Sequence, residues 1–252
     1  MNNEIIFKKD KWLFELTMPE YETTTFGGRM SELRLTKKGI VSFSLDNIRD
    51  YLFANNILAC TFRGREDTLL VQYLNDLGFK FIGTFNTMTC ECGEFKFIIG
   101  PRDLKVSEAQ KKDYEAILNI EDRVFDYSTY QLDPLFQRSV TAYRNVLRVK
   151  SYFGKPNHCI YVIKHDKKVI GFLQFILDWE KKIANCVNGA VDPDYHNLFV
   201  GPKLYNYSFG DILLSMRKII SGCSNQNIPV LKIHRACGFR ITDQEIHLRL
   251  KI

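Results

Sequence analysis

The stretch NIPVLKIHRACGF, Asn227 to Phe239, repeats a pattern already written in DTLLVQYLNDLGF, Asp67 to Phe79. Each begins with a helix-capping residue, Asn227 or Asp67, whose side-chain oxygen can accept from a free N–H of the first turn. Each ends in Gly-Phe, with the glycine eleven residues past the cap. Glycine suits the left-handed backbone that closes a helix, and the phenylalanine can pack back on the last turn. Both stretches are therefore expected to be amphipathic helices that stop at Gly78 and Gly238. They differ at the eighth position. Leu74 continues the apolar face of Leu70, Tyr73 and Leu77, whereas His234 puts a titratable ring on the inward stripe of Val230 and Cys237. One ending written twice points to two related halves.

Upstream of the second copy the periodicity changes several times. FKFIIG (95–100) reads as extended, and Ser107 with Gln110 gives a capping-box pattern before Tyr114, Ile117, Leu118 and Glu121 at helical spacing. Asp133 followed by Pro134 predicts a second helix start, with Leu135, Phe136, Val140, Tyr143 and Leu147 as its stripe. Three strands follow over 159–166, 168–178 and 183–191, and the middle one is apolar on both faces except at Gln174, as a central strand should be. After a turn at 192 and a loop containing Gly201, Tyr205, Phe209, Leu213 and Met216 share a helix face. The free N–H groups at such a helix start can bind phosphate, because they lack partners inside the helix and the helix dipole favours negative charge. KIISGCS (218–224) predicts a fourth strand of this series, and the residues after Gly238 close the chain as a strand. The expected class is α+β with a mixed sheet.

Composition narrows the function. The 252 residues are 45% hydrophobic, enough to bury one large core or two small ones. No run of eighteen apolar residues occurs and MNNEIIFKKD lacks the form of a secretory leader, so a cytoplasmic location without membrane insertion is expected. Seven cysteines at irregular spacing fit reduced, buried thiols, and the Cys90-x-Cys92 pair lacks partners for a metal, so no metal is expected. The net charge of +6 is scattered as isolated lysine pairs instead of a basic stripe with aromatics, which disfavours nucleic acid and stays compatible with a phosphorylated small molecule.

From about residue 95 to 252, this element order, the loop-to-helix anion site and the Asn-x6-[aromatic or His]-x3-Gly-Phe ending resemble the GNAT acyl-CoA N-acyltransferase superfamily. The resemblance implies a GNAT fold over 95–252, preceded at 1–94 by a truncated GNAT-like half-domain. It also implies acetyl-CoA as cosubstrate. The family's pyrophosphate loop, [Q/R]-x-x-G-x-[G/A], aligns with His196, Phe199 and Gly201, so only the last glycine matches. The same loop takes in Asn197, Leu198, Val200, Pro202 and Lys203, and its main-chain N–H groups, which all of these but Pro202 carry, survive those side-chain changes if the turn keeps its shape. PEYETTTFGG with SELRL, the segment 128–147 and CSNQNIPVLKIHRACGF are similar to the group of nucleotide amino-sugar N-acetyltransferases that includes dTDP-fucosamine acetyltransferase.

By that resemblance the reaction is direct attack of an amine on the thioester. The backbone of Ala190 and Val191 would pair with the pantetheine arm, Asn227 would lie beside the cofactor as well as cap its helix, and His234 would stand where the family has a tyrosine that protonates the departing sulfur. An ordinary imidazole, with a pKa near 6.5, suits that exchange. A histidine hydrogen-bonded in the core is the alternative for that residue. Tyr130 and Asp133 are candidates to line the sugar site, with Asp133 first a helix cap. No general base is legible. The implied acceptor is the amine of a dTDP- or UDP-linked amino-deoxy sugar, a homodimer is allowed for, and two readings remain beside it: a protein or peptide amine, and a silent acyl-CoA sensor.

Overall fold

The computed structural model describes residues 5–19, 25, 26, 28–37, 39–98, 103–124, 127, 130–134, 136–196 and 199–252. Contacts divide the chain into two compact units. The first is Met1–Phe85 with Leu132–Val140 and Gln244–Ile252; the second is Asn86–Gln131 with Thr141–Asp243. The sequence reading placed a single boundary between 94 and 95. The contacts instead draw it at 85 and return two later segments to the first unit.

In the first unit β1 (Ile5–Lys9), β2 (Trp12–Thr17) and β3 (Arg29–Thr36) run antiparallel in turn, and β4 (Phe43–Ser44) lies parallel to β1. β5 (Ile57–Gly64) is parallel to β3, and residues 246–251 of β12 (Arg240–Lys251) pair antiparallel with β5. The helices α1 (Ile48–Ala54) and α2 (Thr68–Asp76) put Ile48, Leu52, Leu70 and Leu74 into one core with Phe14, Leu33, Phe62 and Leu248. The strands alternate so that Phe62 and Leu248 face that core while Thr61 and Arg249 face away from it.

The second unit begins within β6 (Lys80–Glu91) and orders its strands β6, β11, β10, β9, β8, β7. These are β7 (Lys105–Glu108), β8 (His158–His165), β9 (Lys168–Asp178), β10 (Ile183–Val191) and β11 (Lys218–Ser224). One face packs on α5 (Val200–Ile212) and α6 (Ile228–Ala236) through Leu173, Phe175, Leu204, Phe209, Ile219 and Cys237. The other packs on α3 (Tyr114–Arg123) and α4 (Arg138–Tyr152) through Ile117, Val149, Ile160 and Phe172.

The duplicated ending is the same structure twice. Gly78 and Gly238 both hold φ at +94°. Phe79 N donates to Leu74 O at 3.0 Å and Gly78 N to Asn75 O at 2.9 Å; Phe239 N donates to His234 O at 3.0 Å and Gly238 N to Arg235 O at 3.1 Å. This paired closure satisfies carbonyls that the last turn would otherwise leave unbonded. The starts match too, with Asp67 accepting from Leu70 N and Asn227 from Val230 N.

Three sequence expectations are corrected. Phe95–Ile98 forms no strand, and residues 99–100 lie outside the described ones; the paired strand is β7, ten residues on. Ser107 belongs to that strand, so it caps nothing. The capping box runs from Gln110 to Asp113, whose carboxylate accepts from Gln110 N at 3.0 Å. The second helix starts at Arg138 and not at Asp133, and it buries Thr141, Ala142, Asn145 and Val149 while Tyr143 is exposed. Leu135 lies outside the described residues. Asp133 caps no helix because its carboxylate is taken by Arg249 at 2.8 Å.

Candidate functional site

The second unit's sheet parts in one place. β10 and β11 pair in parallel from Ile183 with Lys218 to Cys186 with Ser221, and no pair follows although β10 continues to Val191 and β11 to Ser224. The register of β10 against β9 slips between Cys186 and Asn188, a bulge that bends the strand where the pairing ends. Past the bulge, Asp192 N donates to Ile170 O at 2.9 Å. Polar groups on alternate residues of an antiparallel strand turn the same way. Ala190 therefore directs its backbone to β9, while Gly189 and Val191 direct theirs into the gap. Of the two residues expected to meet a ligand, only Val191 faces the gap, and its carbonyl is taken by the His196 ring at 2.9 Å. Sequence reading missed Gly189, whose added Cβ would stand 2.2 Å from Leu173 Cδ2.

β10 leads through a short turn to α5. Asp192, buried, receives Arg123 at 3.0 Å and Lys168 at 3.7 Å and accepts from Asp194 N, which fixes the exit of the strand. Asn197 and Leu198 lie outside the described residues. Phe199 then holds φ at 58°, left-handed for a residue with a side chain, and no side chain caps the helix. This is the backbone that glycine adopts freely, at the position where the aligned loop pattern has glycine. The turn keeps a glycine's shape without the glycine. Val200 and Gly201 present N–H groups at the helix start; Pro202 has none, and Lys203 N closes the first turn on Phe199 O. Gly201 also lets α6 approach, since a Cβ there would lie 3.2 Å from Ile233 Cδ1.

On the opposite face of β10 stands a carboxyl that sequence reading counted only as a stripe position. Glu121 of α3 is 0% exposed, and its Oε1 accepts from Asn188 Nδ2 at 3.0 Å. Its Oε2 has no partner among the described residues. Burial raises its pKa to about 7, against the lowering influence of Asn188, Arg148 and Arg144. A group with that pKa exchanges protons at neutral pH. The signal was present in the sequence: an acid spaced with Tyr114, Ile117 and Leu118 on the inward face of a helix, and Gln174 as the one polar residue between the two ends of β9.

His234 is closed in. It is 1% exposed and ringed by Tyr205, Phe209 and Phe239 at centroid distances of 5.3, 5.5 and 4.8 Å. Nδ1 lies 2.8 Å from Val230 O and Nε2 2.8 Å from Ser221 Oγ. A carbonyl only accepts, so the ring's one proton sits on Nδ1 and Nε2 accepts from Ser221. Burial holds the ring near pKa 4 and hence neutral at pH 7. In this arrangement it has no proton to give a thiolate; it anchors Ser221, the last rung before the strands part.

Asn227 acts as a cap, accepting from Val230 N at 3.3 Å. Tyr130, 3% exposed, carries the Arg144 guanidinium over its ring at 4.2 Å in the second unit. Asp133 belongs to the first unit, where it and Arg249 form an ion pair with side chains 1% and 0% exposed. Among the described residues, no group of three His, Cys, Asp or Glu side chains could hold a metal ion, and no helix is long and apolar enough to cross a membrane.

Residues 115–239 match the acetyltransferase (GNAT) family. The chain carries a GNAT acetyltransferase domain. Its class moves acetyl from acetyl-CoA to an amine, and the match spans Glu121, the gap, the start of α5 and His234. Among solved structures, a conserved protein of unknown function from Staphylococcus epidermidis superposes with a TM-score of 0.68 at 11% identity, covering 99% of this chain and 94% of that one. A GCN5-related N-acetyltransferase from Kribbella flavida gives 0.60 at 11% identity, covering 98% and 89%. A tandem GNAT protein from the clavulanic acid biosynthesis pathway gives 0.58 at 11% identity, covering 95% and 78%. At such identities the likeness is one of fold, and it extends through both units: the acetyltransferase domain follows an N-terminal GNAT-like region, as in tandem GNAT proteins. No curated protein matches the sequence.

Proposed function

We propose that the acetyltransferase holds acetyl-CoA with its pantetheine arm along the free edge of β10 and its pyrophosphate at the start of α5, and delivers the acetyl group to the amine of a small anionic acceptor. The observation that carries this reading is the parting of β10 from β11 after Cys186 and Ser221, which leaves the polar groups of Gly189 and Val191 N–H turned into the gap. An extended amide chain such as pantetheine satisfies such an edge as a further strand would. The uncapped start of α5, with Phe199 in the left-handed form, supplies N–H groups of Val200 and Gly201 and the positive end of a helix for phosphate. Lys203 adds charge on the same turn. His234 keeps Ser221 in place beside the gap.

The acceptor class is taken from the likeness to nucleotide amino-sugar acetyltransferases, with a dTDP- or UDP-linked amino-deoxy sugar as the compound. The net charge of +6 favours an anionic acceptor over a basic peptide. The deciding experiment follows thiol release from acetyl-CoA with a dTDP-linked amino sugar, a UDP-linked amino sugar, glucosamine and a lysine-rich peptide. Turnover confined to the nucleotide sugars is the expected result. Turnover with the peptide alone contradicts the acceptor, and acetyl-CoA binding without turnover on any amine makes the chain a sensor.

A further inference from the structure

The face of β10 that looks onto α3 is a packed apolar layer, formed by Ile117, Leu118, Ile120, Ile160, Val162 and Phe172, with a polar interruption. Glu121 and Gln174 are both 0% exposed within it. Gln174 stands opposite Asn188 across the β9–β10 ladder, and residues directly opposite in a ladder point to the same side. Asn188 bonds Glu121 from that side, so the Gln174 amide points to it as well. Neither amide atom of Gln174, nor Oε2 of Glu121, has a partner among the described residues. Burying unsatisfied polar atoms costs stability that a leucine at either position would not. Three such atoms lie on the α3 side of β9 and β10, and a water reaching them would supply the partners they lack.

We propose that Glu121 accepts the proton of the incoming ammonium group, through a water held between its Oε2 and the Gln174 amide, with Asn188 as the residue that positions the carboxylate. This rests on the acetyl-transfer reading above. In the step, the ammonium gives one proton to the water, which passes a proton to the Glu121 carboxylate. The freed lone pair on nitrogen forms the N–C bond to the thioester carbonyl carbon, and the C–S bond breaks with its electron pair on sulfur. The second nitrogen proton goes to the thiolate. The products are the amide, the free thiol of coenzyme A and protonated Glu121, which returns its proton to solvent. The charged groups that face Glu121 are Arg148 and Arg144 of α4, while β9 and β10 face it with Gln174 and Asn188. Their positive charge favours the carboxylate, and burial opposes it.

The test measures kcat and KM between pH 5.5 and 9 with acetyl-CoA and whichever of the dTDP-linked amino sugar, UDP-linked amino sugar, glucosamine or lysine-rich peptide turns over. Wild type should show kcat/KM rising with pH through a limb near 7. Glu121→Gln, close in shape, should lower kcat by about 10² to 10⁴, remove that limb and leave the dissociation constant for acetyl-CoA unchanged, which also reports a folded protein. Glu121→Asp should restore part of the rate. Gln174→Leu should lower kcat while raising the melting temperature, a combination that a purely structural amide would not give. If Glu121→Gln keeps both rate and limb, or wild type has no limb between pH 6 and 8, the assignment is overturned. If wild type acetylates none of the four amines, the acetyl-transfer reading fails and takes this one with it.

Discussion

At Phe199 the backbone sits at φ 58° with the ring 44% exposed. A side chain in that region costs about 1 kcal/mol over glycine. Phe199→Gly should therefore raise stability by about 1 kcal/mol and leave acetyl-CoA affinity within about twofold, since the N–H groups of Val200 and Gly201 do the binding. Calorimetry on both proteins checks this, and a large loss of affinity would give the phenyl ring a binding role. Glu121 and His234 set opposite pH responses. Glu121 is raised to about 7 from an ordinary 4.5, so the folded state binds its proton more tightly and stability falls as pH rises from 4.5 to 7. Glu121→Gln should then be more stable than wild type at pH 8 by up to about 3 kcal/mol and nearly equal to it at pH 4.5. His234 is lowered to about 4 from 6.5, and His247 to about 3, both first by burial, so the unfolded chain takes protons that the folded one refuses. Their contribution is complete above pH 6.5 and is lost as pH falls from there, toward 4 for His234 and toward 3 for His247. Urea midpoints of wild type and Glu121→Gln between pH 4.5 and 8 separate the two. The residue scale is also where the sequence was least readable: Glu121 looked like one more stripe position, because what makes it a base is Asn188, 67 residues away, and the burial around it.

The two helix endings share φ +94° and the same bond pattern yet tolerate change differently. A Cβ at Gly78 would meet Arg49 Nη1 at 2.6 Å, the end of a side chain that can swing away; at Gly238 it would meet Glu94 O at 2.3 Å, a backbone oxygen whose neighbour Lys96 is bonded to Cys237. Gly78→Ala should cost about 1–2 kcal/mol for the left-handed backbone alone, and Gly238→Ala at least about 3 kcal/mol with the added overlap. Equal costs in denaturant melts would contradict the overlap. At this scale the sequence was largely legible. The span 168–178, the span 183–191, KIISGCS and both capped, glycine-closed helices stand where their local chemistry put them, because cap, stripe and stop agree. Asp133-Pro134 carried the same local signal and failed. Its carboxylate is bound to Arg249, 116 residues on, and the helix starts five residues later. FKFIIG failed likewise: Lys96 N bonds to Cys237 O instead of to a strand, a tertiary contact that no local pattern announces.

For the whole chain, interleaving of the units decides what can be cut. A protein of residues 95–252 would lack Met88 and Cys90, which belong to the second unit's core, and would keep Ile246, Leu248 and Leu250, which belong to the first unit's. It should aggregate at micromolar concentration in size-exclusion chromatography; a monodisperse, active fragment would contradict the interleaving. Within the first unit, Asp133→Asn should destabilise by about 3–5 kcal/mol by leaving Arg249 buried without its carboxylate, and Asp133→Leu with Arg249→Met should recover much of that loss. The central claim, an acetyl-CoA site where β10 parts from β11, is tested most directly by hydrogen exchange with and without saturating acetyl-CoA. Slower exchange at the N–H groups of Gly189, Val191, Val200 and Gly201, with little change in β7 and β8, is the predicted result. Binding that protects none of these four would contradict it.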